Sequence, residues 1–81
     1  MNRIYTTQTC PWCHRAKTVL EQRGIEYREI DVTRDPALQK EMIERTGRQS
    51  VPQIFFGDEH IGGFDELVSH LAEQREEEAV H

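Results

Sequence analysis

Residues 6–17 read TTQTCPWCHRAK and hold both cysteines of the chain, Cys10 and Cys13, separated by Pro11 and Trp12. The residues on either side decide what this stretch is. Upstream, RIYTT is short, β-branched and aromatic, which predicts a strand over residues 2–6. Downstream, Ala16, Val19 and Leu20 recur at i, i+3 and i+4, one face of a helix that begins near Pro11. Gly24 stands where a helix-terminating glycine belongs. The two cysteines therefore sit on a strand-to-helix turn.

Further along, IEYREIDV places Ile25 and Tyr27 on one face, then changes phase at Ile30 and Val32. This predicts a second strand near 26–31, with its end or a bulge at the phase change. Asp35-Pro36 is a helix start, an acidic N-cap followed by proline at the first helical position. That helix is expected to run to about Thr46, to bury Leu38, Met42 and Ile43, and to stop at Gly47. VPQIFF reads as a third strand, GDEH as a hairpin turn, and His60-Ile61 as a short fourth strand. Gly62-Gly63 breaks the chain before a last helix over 65 to about 77, with Leu67, Val68 and Leu71 facing inward. The order β-α-β-α-β-β-α implies a right-handed crossover between parallel strands, then an antiparallel hairpin added to the same sheet. The expected fold is α/β and thioredoxin-like: a four-stranded mixed sheet flanked by three helices.

The whole chain bounds what this fold can do. Its 81 residues make one domain over 1–81 with a thin single core. A net charge of −5 lacks the basic stripe of a nucleic-acid binder. Apolar runs are too short to span a membrane, and MNRIYTT has no apolar signal region. Two cysteines do not make a disulfide-stapled scaffold, so the reducing cytoplasm is the expected compartment. Residues 73–81 carry four glutamates against one arginine, leaving residues 1–72 with 9 basic and 11 acidic groups. The segment EQREEEAVH is expected to be a solvated, fraying helix end. The four histidines, at 14, 60, 70 and 81, lack ligand spacing and are read as surface residues.

A Cys-x-x-Cys pair serves as half a zinc site, a structural disulfide or a redox catalyst. A disulfide closing so short a loop constrains the unfolded chain little. Tetrahedral zinc needs two more ligands, and no second pair exists, although distant histidines could be recruited. The redox reading has a physical mechanism. Near the helix start, unpaired amides and the positive end of the macrodipole face the Cys10 sulfur and favour its thiolate. His14, Arg15 and Lys17 add positive or protonatable groups nearby. Cys13, in the first turn, lies within disulfide reach but is more enclosed. Cys10 is expected to attack and Cys13 to resolve.

Through YTTQTCPWCHRAK, EMIERTGRQSVPQIFFGD and HIGGFDEL, in this order and spacing, the chain resembles a dithiol glutaredoxin over nearly its whole length. Trp12 stands where that family usually has tyrosine, so CPWC is a variant of CPYC. The resemblance implies a glutathione-dependent enzyme that reduces protein–glutathione mixed disulfides and some protein disulfides. Glutathione would be a cosubstrate, with no bound cofactor and no metal. Partners would be glutathionylated or disulfide-containing proteins, with no nucleic acid and no membrane, and the protein a monomer. It further implies that Val51 presents its backbone to glutathione before a cis Pro52. Gly63, Phe64 and Asp65 would hold the γ-glutamyl end, with Trp12 an apolar wall beside the nucleophile. Many members carry lysine three residues before the nucleophile, where Thr7 stands here. Gln39 and Arg48 would then be the groups left to meet the glycyl carboxylate. Two rivals follow from the same resemblance. One is an electron donor recharged by thioredoxin reductase, as in small redoxins serving ribonucleotide reductase. The other is a dimer sharing a [2Fe–2S] cluster, which Pro11 argues against.

Overall fold

The structure, a computed structural model, describes the backbone of residues 1–80 and the side chains of residues 1–73. Four strands and three helices alternate as β1 (Arg3–Thr6), α1 (Pro11–Gln22), β2 (Arg28–Asp31), α2 (Pro36–Thr46), β3 (Gln53–Phe56), β4 (Glu59–Gly62) and α3 (Phe64–Val80). They form one sheet of order β2-β1-β3-β4. β1 and β2 are parallel, while β1–β3 and β3–β4 are antiparallel. This is the expected thioredoxin-like layout. Beyond Glu73, the frayed acidic tail expected over 73–81 lies outside the described side chains. Among the described residues, no helix is long and apolar enough to cross a membrane.

The alternation of strand residues splits the core in two. Ile4 and Ile54 face one side, packed with Ala16 and Leu20 of α1 and Leu67 and Leu71 of α3. Tyr5 and Phe55 face the other, packed with Val32 and with Met42 of α2. The phase change read in IEYREIDV has its cause here. Ile25 and Tyr27 join the first cluster, Ile30 and Val32 the second. Because both sheet faces are covered, the strand needs no bulge, and the β1–β2 register is continuous. The irregularity lies between β3 and β4 instead, where Ile54 pairs with Gly62 but Phe55 with His60. One residue, Ile61, is extra.

Helix geometry also corrects two inward assignments. Leu38 and Met42 lie four residues apart on the sheet-facing stripe of α2, and so do Leu67 and Leu71 on α3. Ile43 and Val68 each follow a buried residue by one position, about 100° around the helix. They are 38% and 43% exposed, respectively. The β3–β4 turn is also tighter than expected: Gly57 and Asp58 alone close it, with Gly57 at φ +63°. A two-residue hairpin requires such a left-handed residue, which glycine supplies without strain.

Candidate functional site

Strand β1 ends at Thr6, and four residues later Cys10 caps α1. Its backbone is extended (φ −96°, ψ 107°), and Pro11 occupies the first helical position. The proline costs no hydrogen bond there, because that amide would have had no intrahelical acceptor. The Cys13 amide donates to the Cys10 Sγ at 3.1 Å. The Cys10 thiol in turn donates to the Val51 carbonyl at 3.7 Å. The Cys10 sulfur thus stands at the N-terminus of α1, facing the positive end of the helix macrodipole. Both cysteines are free thiols, Cys10 half-buried and Cys13 buried. Burial, then the bond to Cys10, pushes the Cys13 thiol up to about 12, against smaller downward pulls from the Thr7 amide and Lys17. The inequality of the two cysteines is thus built into their surroundings. Among the described residues, no group of three or more His, Cys, Asp or Glu is arranged to hold a metal ion.

Across from Cys10 runs a cleft of about 240 Å³ that brings together Trp12, Arg48, Val51, Pro52, Gly63, Phe64 and Asp65. These come from three separate segments, and β3, β4 and the start of α3 align them. The Val51–Pro52 bond is cis, as the resemblance implied. Trp12 is 49% exposed and packs on Phe64, with ring centroids 5.4 Å apart. The Arg15 guanidinium lies 4.7 Å from the Trp12 ring centroid, a cation–π contact. The loop before Pro52 is fixed from beneath by Gln53, a buried side chain that donates to the Ser50 carbonyl at 3.0 Å. His60, read from the sequence as a surface residue, is half-buried against this support. Its Nε2 lies 2.8 Å from the Gln53 Oε1. Burial, and next the Arg48 charge, lower its pKa, which favours a neutral ring donating to Gln53.

Two of the residues expected to meet glutathione do not line this cleft. The Gln39 side-chain amide donates to the Val32 carbonyl at 2.8 Å, which ties α2 to the end of β2. Thr7 is half-buried and touches the site through its backbone, beside the Cys13 sulfur. Arg48 lines the cleft but is occupied: its Nη1 lies 3.1 Å from both carboxylate oxygens of Glu66.

Glu66 is the site residue that the sequence reading missed. Helix α3 starts one residue earlier than expected, and its first intrahelical bond runs from the Leu67 amide to the Gly63 carbonyl at 3.0 Å. Gly63 is therefore the N-cap, and Asp65 is the second helical residue. Glu66, third in the helix, reaches back to accept the Gly63 N–H. That is the return half of a capping box, and the Gly-x-x-Glu spacing at 63–66 was its signal. The Gly63 amide, then Arg48, hold the Glu66 carboxyl below the usual carboxylate range. Gly62, at φ +119°, stands beside it in a backbone conformation that L side chains rarely adopt, and a Cβ there would also displace the Glu66 carboxylate.

Comparison with known proteins bears directly on this geometry. The family model described as Glutaredoxin matches residues 3–61. Glutaredoxin 3 of Escherichia coli K12 is 50% identical over 64 residues, covering 79% of this chain and 77% of that protein. The solution structure of glutaredoxin from Brucella melitensis superposes with a TM-score of 0.79 at 44% identity, over 95% of this chain and 84% of that one. The crystal structure of a buckwheat glutaredoxin–glutathione complex superposes with a TM-score of 0.81 at 28% identity, over 90% of this chain and 69% of that one.

Proposed function

The chain belongs to the glutaredoxin family and is a thiol–disulfide oxidoreductase; from that premise we propose that glutathione is its cosubstrate and that it reduces protein–glutathione mixed disulfides. The carrying observation is that the Cys10 sulfur lies 3.7 Å from the carbonyl of Val51, a residue that lines the cleft between Val51–Pro52 and Gly63–Asp65. The likeness to the buckwheat glutathione complex supports glutathione as the occupant.

In the proposed reaction the Cys10 thiolate attacks the glutathione sulfur of the mixed disulfide. That S–S bond breaks, a Cys10–glutathione disulfide forms, and the protein sulfur leaves as a thiolate that takes up a proton. A second glutathione thiolate then attacks the glutathione sulfur bound to Cys10. It yields glutathione disulfide and returns Cys10 as thiolate. Each step is a thiol–disulfide exchange, in which a thiolate attacks and a thiolate leaves. The bound tripeptide lies along the Val51 backbone, with Trp12 and Phe64 as its apolar wall. Its γ-glutamyl carboxylate meets the unpaired amides of the first turn of α3. The γ-glutamyl ammonium meets the exposed Asp65 carboxylate.

The deciding experiment supplies the oxidised protein with either glutathione and glutathione reductase, or thioredoxin reductase, each with NADPH. Recharging by the glutathione couple is expected. Recharging by thioredoxin reductase alone would replace this reading with that of a thioredoxin-reductase-linked donor, for which Thr7 in place of lysine is the favouring feature. Asp65→Ala is expected to raise the KM for glutathione about three- to fivefold with kcat little changed, the size of one exposed ion pair. Steady-state kinetics against glutathione concentration measure this, and an unchanged KM would remove Asp65 from the site.

A further inference from the structure

The Glu66 carboxylate occupies two donors of the cleft wall, the Gly63 amide and the Arg48 guanidinium. We propose that Glu66 is an internal carboxylate that competes with the ligand for Arg48, so that it sets the affinity of the cleft for glutathione. This rests on the glutathione reading above and adds a specificity-determining residue to it.

Three observations carry the inference. Arg48, Gly63 and Glu66 line the same cleft as Trp12 and Val51, so the ion pair stands inside the binding groove and not behind it. The cleft is also poor in positive charge: among the described residues, Arg48 is the one arginine or lysine lining it, against the carboxylates of Asp65 and Glu66. Glutathione carries two carboxylates and one ammonium, so a groove whose only such cation is already neutralised receives it poorly. Finally, the pair is displaceable. Arg48 and Glu66 side chains are 47% and 44% exposed, and bridges this exposed contribute little in water. A ligand carboxylate can therefore take Arg48 while Glu66 keeps the Gly63 amide, so the helix start survives the exchange.

The consequence is that Arg48 works below its capacity in the wild-type chain. Glu66→Gln keeps the shape and the oxygen that accepts the Gly63 N–H, but loses the charge that holds Arg48. It is expected to lower the KM for glutathione, and the dissociation constant for S-methylglutathione, by about two- to fivefold, with the change falling on KM rather than kcat. S-methylglutathione is a thioether, so it reports binding without exchange.

A double-mutant cycle separates competition from a simple change in net charge. Arg48→Gln is expected to weaken binding only slightly when Glu66 is present, and several-fold more in the Glu66→Gln background. Equal Arg48→Gln penalties in the two backgrounds would overturn the proposal. So would an unchanged or raised KM in Glu66→Gln, which would make Glu66 a spectator or a direct ligand of the ammonium. Thermal unfolding of each variant shows that the comparison is between folded proteins. Failure of the underlying reading has a different signature, since the wild-type protein would then neither bind S-methylglutathione nor be recharged by glutathione.

Discussion

Cys10→Ser is expected to reduce turnover of both mixed disulfides and protein disulfides to the background rate of free glutathione exchange, with the fold intact. The loss is chemical. Exchange requires a sulfur that attacks, forms a disulfide and then leaves, and a serine hydroxyl does none of these at neutral pH. No second sulfur can substitute, because Cys13 is only 1% exposed and its thiol is pushed up to about 12, chiefly by burial. The helix should not suffer. Serine is a preferred N-cap, and its hydroxyl oxygen can accept the Cys13 amide as the Cys10 sulfur does now. An unfolding free energy within about 0.5 kcal/mol of wild type is therefore expected, the usual scale for a substitution that breaks no buried contact. A coupled assay with glutathione reductase, run beside a denaturation curve, reads both quantities. Clear turnover above background in this variant would mean that Cys13 can start the reaction, and the assigned roles would be wrong.

The sequence made these roles readable because both halves of the argument are local. A strand-forming RIYT, a proline after Cys10 and the 3.6-residue stripe of Ala16 and Leu20 place the nucleophile at a helix start without any distant contact. The caps at Asp35 and Gly47 are legible for the same reason, and both stand as expected, with the Leu38 amide on the Asp35 side chain at 3.1 Å. What local pattern does not give is which of two adjacent apolar residues faces the sheet. Met42 and Ile43 are equally apolar, and so are Leu67 and Val68; the rotation of each helix on the sheet decides between them. Side-chain partners drawn from distant segments are hidden in the same way. Arg48 and Glu66 are 18 positions apart, and only the turn through β3 and β4 brings them together. The Gln39 amide's bond to the Val32 carbonyl is hidden in the same way, since nothing in the sequence shows it. Glu66 was the exception, since its spacing from Gly63 was there to be read.

Cys13→Ser separates the two reactions that Cys10→Ser abolishes together. Reduction of glutathione mixed disulfides is expected to continue, because both steps of that route use only Cys10 and a second glutathione. Reduction of protein disulfides is expected to stall. After Cys10 attacks such a substrate, the mixed disulfide must be cleared by an intramolecular thiol, and none remains. The stalled species is a covalent adduct between this protein and its substrate, visible by mass spectrometry under non-reducing conditions. The wild-type rate on protein disulfides should carry a pH signature as well. With Cys10 tied up in the mixed disulfide, burial, the largest cause of the raised Cys13 pKa, persists. Cys13 then attacks through a small thiolate fraction that grows about tenfold per pH unit below its pKa. Where resolution limits the rate, turnover of protein disulfides should rise steeply from pH 7 to 9, while Cys13→Ser shows no corresponding rise. The substitution also places a hydroxyl in a site that is 1% exposed, at a cost of about 1–3 kcal/mol if that hydroxyl finds no partner. Cys13→Ala, which buries no polar group, controls for that loss of stability. If both variants fail on glutathione mixed disulfides while remaining folded, Cys13 takes part in every turnover and the one-cysteine route does not operate in this protein.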